Sequence, residues 1–104
     1  MGQGRDDQVF ADREILRRMQ ADELDAFEAF FERYRTPIFR TAHAVTGDSA
    51  AAEEVLQDTF LRAYHRRSLL RPDVSPLPWL HRVALNLCYT RLARRRATPF
   101  PADR

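Results

Sequence analysis

The chain has 104 residues, 44% of them hydrophobic, with 17 basic against 15 acidic side chains, a formal net charge of +2 and one cysteine. That length builds one core and one domain, and is too short for a two-domain enzyme. It holds no run of about 18 apolar residues for a transmembrane helix and no apolar h-region in MGQGRDDQVFADRE; a lone Cys88 supports neither a disulfide framework nor a cysteine zinc site, so the expected setting is a reducing cytoplasm.

Residues 1–11 carry little apolar content and read as a flexible tail. Asp12 is a candidate cap for a short helix whose apolar stripe is Ile15, Leu16 and Met19, and Asp22 a candidate cap for the next. From there Leu24, Phe27, Phe31, Tyr34, Ile38, Thr41 and Val45 recur at steps of three and four, which predicts a long amphipathic helix. Pro37 removes one backbone donor inside it and predicts a kink near Arg33; Gly47 is a C-terminal stop. Asp48 and Ser49 can cap a third helix with the stripe Ala52, Val55, Leu56, Thr59, Phe60 and Ala63, ending near Arg66 or Arg67. Glu53 and Glu54 fall near its N-terminus, where the macrodipole favours them.

SLLRPDVSPLPW has three prolines in seven residues, so a loop is expected from about Ser68 to Leu77, with Pro78 in the first turn of the last helix. That helix carries Leu80, Val83, Ala84, Leu87 and Cys88 on one face. At 100° per residue, Arg82, Asn86, Tyr89 and Arg96 share the opposite face. Arg91, Arg94 and Arg95 fall where the apolar stripe would continue, so the core is expected to end near Leu87–Leu92 and the helix to project as a cationic rod. No strand-like alternation and no internal repeat is visible. The fold class is therefore all-α, a compact bundle of about four helices with a Pro-rich loop before the last.

Catalytic chemistry has no positive support. His43, His65 and His81 lack ligand spacing, Gly2, Gly4 and Gly47 form no phosphate loop, and Cys88 lies on an apolar helix face as a buried, inert thiol. No metal and no cofactor are expected. Charge is more informative. Residues 1–61 hold 7 Arg and 13 acids, a net of −6; residues 62–104 hold 10 Arg and 2 acids, a net of +8. The polarity suggests an anionic partner for the second half, the alternative being halves that neutralise each other. All basic residues are Arg, which a GC-rich genome explains as well as function does. Arg forks bind phosphate, and Tyr89 and Asn86 on the same face could stack on and contact bases. The acidic patch Glu53, Glu54, Gln57 and Asp58 is either a solvated face or a docking surface for a basic protein.

The order of residues resembles domain 2 of bacterial sigma factors, and among them the extracytoplasmic-function (ECF) type. Such proteins carry a segment like D-A-E-D-L-V-Q-E-T-F-L-R-A-W, matched here by Ala52, Glu53, Glu54, Val55, Leu56, Gln57, Asp58, Thr59, Phe60, Leu61, Arg62 and Ala63. They continue with W-L-x-x-I-A-x-N, matched by Trp79, Leu80, Val83, Ala84 and Asn86, and Asp25–Ala26–Phe27–Glu28 and Tyr34 fit the early part. The resemblance covers roughly residues 12–96, with 97–104 as the start of a linker.

It implies that the acidic helix binds the clamp coiled coil of core RNA polymerase through Glu53, Glu54, Gln57, Asp58, Leu61 and Arg62. It implies too that the loop captures an unstacked base of the non-template strand of the promoter −10 element, with Arg71, Asp73 and Ser75 as its polar contacts. The last helix would guide DNA through Arg82, Asn86, Tyr89, Arg94, Arg95 and Arg96. An anti-sigma factor is a possible further partner; no membrane is implied. Trp79 is either a stacking wedge or a core residue, and its helical position favours the core. The loop departs from the family at Pro76 and Leu70, where aromatics are usual, so its base preference is not carried over. A complete member continues into a helix-turn-helix domain that reads the −35 element, and TPFPADR is read as the linker towards it. Two other readings stay open: a generic helical DNA-binding module, and a protein-interaction domain held by an anti-sigma factor.

Overall fold

The computed structural model describes residues 3–97, in four α-helices: α1 (Gln3–Gln20), α2 (Leu24–Thr46), α3 (Ser49–His65) and α4 (Leu77–Ala97). A single 3₁₀ turn, Arg67–Leu69, follows α3, and no strand occurs among the described residues. α1 begins at Gln3, so the segment expected as a tail is helical in backbone from there; nothing between Gly4 and Asp12 breaks a helix. Asp12 therefore lies inside α1 rather than at its cap. The linker expected over 97–104 lies outside the described residues beyond Ala97.

α2 is the central element and packs on α1, α3 and α4. Its fully covered line is Ala26, Phe30, Tyr34, Ile38 and Ala42, at steps of four. This corrects the expected stripe: Leu24 is 75% exposed, while Phe27, Phe31 and Val45 are only partly buried at the flanks. The reason is that α2 is covered from several sides. A line of period 3.5 and one of period 4 drift in opposite senses around a helix of period 3.6, and both are used. The Phe60 ring of α3 meets Phe30 and Phe31 edge-on, at centroid distances of 5.5 and 5.0 Å. α1 contributes Leu16 and Met19, α3 contributes Ala52, Val55, Leu56, Thr59, Phe60 and Ala63, and α4 contributes Leu80, Ala84 and Cys88. The one buried polar side chain in this core, Thr59, donates its hydroxyl to the Val55 carbonyl at 2.7 Å, which satisfies it inside its own helix.

The ends of the helices have local causes. Asp22 does not cap α2; it closes α1. Its φ is 65°, its N–H bonds the Met19 carbonyl at 3.0 Å, and the Glu23 N–H bonds the Arg18 carbonyl at 3.1 Å. That is the paired 6→1 and 5→2 arrangement of a left-handed helix stop, here with Asp in the place glycine usually takes. Gly47 closes α2 at φ 68°, and Asp48 caps α3 by accepting from the Ala50 N–H at 2.9 Å. α2 runs unbroken through Pro37, whose missing N–H leaves the Arg33 carbonyl without its usual partner.

The two α2 stripes separate in a mutational test. Phe30→Ala is expected to lower the unfolding free energy by about 3–5 kcal/mol, and Leu24→Ala by about 0.5 kcal/mol or less, in urea titrations followed by circular dichroism.

Candidate functional site

α3 spends one half of its circumference on the core. The other half carries all six residues expected to dock polymerase. At 100° per residue they spread over about 180°, with Leu61 and Glu54 near the middle and Glu53 and Arg62 at the two edges. They do not share one environment. Glu53 lies on the α2 side, lining a groove with Arg35, Phe39 and Arg40. Gln57 and Leu61 border an open apolar groove of about 330 Å³ with Phe27, Phe31 and Phe60. Leu61 itself is 52% exposed. Glu54, near the middle of the arc, is paired with the Arg91 guanidinium of α4 at 2.8 Å. Arg62 also faces α4, where it lines a groove of about 210 Å³ with Arg66, Val83, Asn86, Leu87 and Thr90. Arg62 and Asn86, expected on different surfaces, thus share one groove. Phe27 and Phe31 enter this surface from α2; their stripe was visible in the sequence, but their place beside Leu61 depends on how α2 and α3 pack.

α4 presents the opposite chemistry. Leu80, Ala84 and Cys88 face inward, and Arg82, Asn86, Tyr89 and Arg96 are exposed on the far side, Tyr89 to 58%. No buried residue follows Cys88 along α4 among the described residues, so the Arg-rich end does extend past the core. Arg94, Arg95 and Arg96 form its last turn, where cations complement the helix dipole. No described carboxylate lies within ion-pair distance of Arg62, Arg66, Arg82, Arg95 or Arg96.

Between α3 and α4 the chain is held at both ends and exposed between them. Leu70 and Pro76 are buried; Arg71, Asp73, Val74 and Ser75 are exposed. Arg71 donates to the Asp73 carboxylate at 3.0 Å, and this bond holds that carboxyl below its usual range. Two expected base contacts therefore bind each other across the loop tip, in an exposed pair that a ligand can displace at little cost. The third, Ser75, accepts from the Leu77 N–H at 3.3 Å and so caps the start of α4. Trp79 lies where the core meets the loop. It packs against the core, and it also lines a cavity of about 170 Å³ with Leu69, Leu70, Arg71, Val74, Ser75 and Pro76.

Beneath the loop lies a cluster that the sequence did not signal. The Asp12 carboxylate of α1 accepts from both the Tyr34 hydroxyl and the Arg33 guanidinium of α2. These three residues line an open cleft with Pro37, Ser75 and Leu77. Burial first, and then the bond to Asp12, raises the Tyr34 phenol well above its usual range. The histidines stay apart, His81 making its contact to the Thr41 hydroxyl at 3.1 Å across α2 and α4. Among the described residues no helix is long and apolar enough to cross a membrane.

The described residues thus form an all-α domain with a basic outer helix, an acidic one beside it and a pinned loop between them. Residues 30–98 match the Sigma-70 region 2 family, and the chain belongs to it. The chain is 34% identical over 89 residues to the ECF RNA polymerase sigma factor SigM of Mycobacterium tuberculosis, covering 86% of this chain and 45% of that protein. It is 38% identical over 75 residues to the ECF RNA polymerase sigma factor SigG of the same species, covering 72% of this chain and 20% of that protein. With the RNA polymerase sigma-H factor of Pseudomonas aeruginosa the identity is 27% over 92 residues, covering 88% and 48%. The chain spans under half the length of these curated relatives.

Two groups couple stability to alkaline pH. Burial raises the Cys88 thiol as well as the Tyr34 phenol. In both, the folded-state value lies above the unfolded one. The stabilisation is therefore complete below the ordinary thiol and phenol values, about 8.5 and 10, and is lost as pH rises through the folded ones. Urea titrations should give a nearly constant unfolding free energy from about pH 7 to 8 and a decline above about pH 9. The double variant Tyr34→Phe, Cys88→Ala should show a much flatter decline.

Proposed function

We propose that this chain is the part of a sigma factor that docks on core RNA polymerase and recognises and opens the promoter −10 element, as a binding subunit without catalytic groups of its own, acting in the cytoplasm. The observation that carries this reading is the row Arg82, Asn86, Tyr89 and Arg96 on the outer face of α4, together with the loop cavity beside Trp79, in a chain of the sigma-70 region 2 family.

Arginines free of carboxylate partners supply phosphate contacts, and hence affinity that falls with salt. Tyr89 offers a ring for stacking, and Asn86 a paired donor and acceptor for a base edge. A cavity at the loop can receive a base only once it has left the stack, so binding to single-stranded DNA also drives opening. On the other side, the centre of the α3 outer face is the natural anchor for a partner helix. Leu61 and the flanks of Phe27 and Phe31 provide apolar area there, and Gln57, Asp58 and Glu54 provide a polar, acidic rim.

The docking arm is tested by retention on an immobilised clamp coiled coil of the polymerase. Leu61→Asp is expected to weaken retention at least about tenfold, because it puts a charge at the centre of the contact. Charge reversal at Asp58 should weaken it less, and unchanged retention in both variants would remove the α3 face as the docking surface. The DNA arm is tested with short oligonucleotides. The chain should prefer a single-stranded non-template −10 sequence over the same sequence as duplex, with affinity falling as salt rises. Equal binding to any duplex would favour a generic DNA-binding module, and no binding even at low salt would favour a domain that meets only proteins, such as an anti-sigma factor.

A further inference from the structure

The last turn of α1 grips the start of the loop between α3 and α4. The Gln20 side-chain amide donates to two backbone carbonyls, Arg67 at 2.9 Å and Leu70 at 2.6 Å. Both partners are acceptors, so only the NH₂ end of the amide, with its two donors, fits between them. The Asp22 carboxylate, two residues on, pairs with the Arg67 guanidinium. That guanidinium also donates to the Tyr64 carbonyl at 2.7 Å and lies over the Tyr64 ring at 4.2 Å. The 3₁₀ turn Arg67–Leu69 is thus fixed by its backbone through Gln20 and by its side chain through Asp22. Leu70, buried directly after it, is where the loop leaves the core.

We infer that Gln20 is a positioning residue for base recognition: by bridging the Arg67 and Leu70 carbonyls it sets the take-off of the loop and holds open the cavity formed with Trp79. This rests on the proposed reading of the −10 element by that loop. Gln20 lies on a different helix from the cavity and does not line it, so it acts on a bound base only through the backbone it holds. Beyond Leu70, the hydrogen bonds of the loop are the Val74 N–H to the Arg71 carbonyl at 3.1 Å, the exposed Arg71–Asp73 pair and the Leu77 N–H to the Ser75 hydroxyl at 3.3 Å. None of them fixes where the loop begins. Without the Gln20 bridge the Leu70 carbonyl turns to water, and the Leu69–Leu70 wall of the cavity is held only by the Arg67–Asp22 pair, the bonds of the 3₁₀ turn and the buried Leu70 side chain, so it loosens.

The experiment uses the chain itself. A preferred single-stranded DNA sequence is first selected from a randomised pool with the wild type. Affinity is then measured for that sequence and for versions changed at one base. Two variants are compared: Gln20→Glu, which keeps shape and replaces the donors with acceptors, and Gln20→Met, which keeps bulk and has no donor. The ratio of affinities between preferred and changed sequence should fall about tenfold in both, the size of effect that loss of two such hydrogen bonds can transmit. Hydrogen exchange at the Arg71, Asp73 and Val74 amides should quicken, while protection at Phe30 and Leu56 in the core stays as in the wild type. A wild-type ratio in Gln20→Met, with the core protected, overturns the inference, and so does faster loop exchange with an unchanged ratio. A wild type that selects no single-stranded sequence removes the proposed function itself and this inference with it, an outcome recognised because it appears before any substitution is made.

Discussion

The burial of α2 is the constraint on which the rest of the domain depends. Its covered line has large residues at the centre, Phe30, Tyr34 and Ile38, and small ones at the ends, Ala26 and Ala42. Each large side chain taken fully out of water contributes about 1.5–3 kcal/mol, so three helices gather around that centre. Their inner faces mix large and small residues: Leu56 and Phe60 with Ala52 and Ala63 on α3, Leu80 with Ala84 and Cys88 on α4. The outer halves of α3 and α4 follow from this. They are left uncovered because most apolar residues of those helices pack inward, Leu61 and Tyr89 being the exposed exceptions, and the candidate surfaces are what that packing leaves uncovered.

The charge polarity of the chain bears on what those surfaces can meet. If the acidic and basic halves served to neutralise each other, ion pairs should run between them. Among the described residues, Asp22–Arg67 and Glu54–Arg91 cross from the first half to the second. Arg18 pairs with Glu23 and Asp25, Arg33 with Asp12, and Arg71 with Asp73, each within its own half. Arg62, Arg66, Arg82, Arg95 and Arg96 of the second half meet no described carboxylate and stand in solvent on α4 and at the end of α3. A cluster of like charges raises the free energy of the folded state through its own repulsion, and a polyanion relieves that repulsion on binding. Self-neutralisation explains the two crossing pairs and leaves the outer face of α4 unexplained.

Much of this was legible along the chain, and the misses have physical causes. Gly47 and Asp48 mark the α2–α3 boundary because each residue type has one favoured use there, a left-handed stop and a cap. Asp22 was ambiguous in a way they were not. Aspartate suits an N-cap and also tolerates the left-handed conformation, and the partner that decides between them, Arg67, is distant in sequence. The polar face of α4 was readable from its period alone, since one inner line, Leu80–Ala84–Cys88, fixes the opposite one. The outer face of α3 was readable as a half-circle but not as separate environments. Whether Glu54 stands free or pairs with Arg91, and whether Leu61 is isolated or joined to Phe27 and Phe31, depends on neighbouring helices that periodicity within α3 does not contain.

The loop is the place where rigidity and exposure have to be reconciled. On the proposed reading, capturing a base carries an unstacking cost of a few kcal/mol, and any ordering of the loop on binding adds about 1–2 kcal/mol for each residue fixed. A wholly mobile loop would meet both costs together. Here the ends are settled before any ligand arrives: Leu70 is buried behind the Gln20 bridge, and Pro76 is buried ahead of α4. Pro72 and Pro76 further restrict the backbone between them, lowering the freedom to be lost. What remains adjustable is the tip, where Arg71 and Asp73 hold one another in solvent and where Val74 is half exposed. Discrimination between bases needs a wall that does not yield, and admission of a base needs a rim that does. The division of this loop into pinned ends and an exposed, mutually paired tip meets both requirements within seven residues, 70–76.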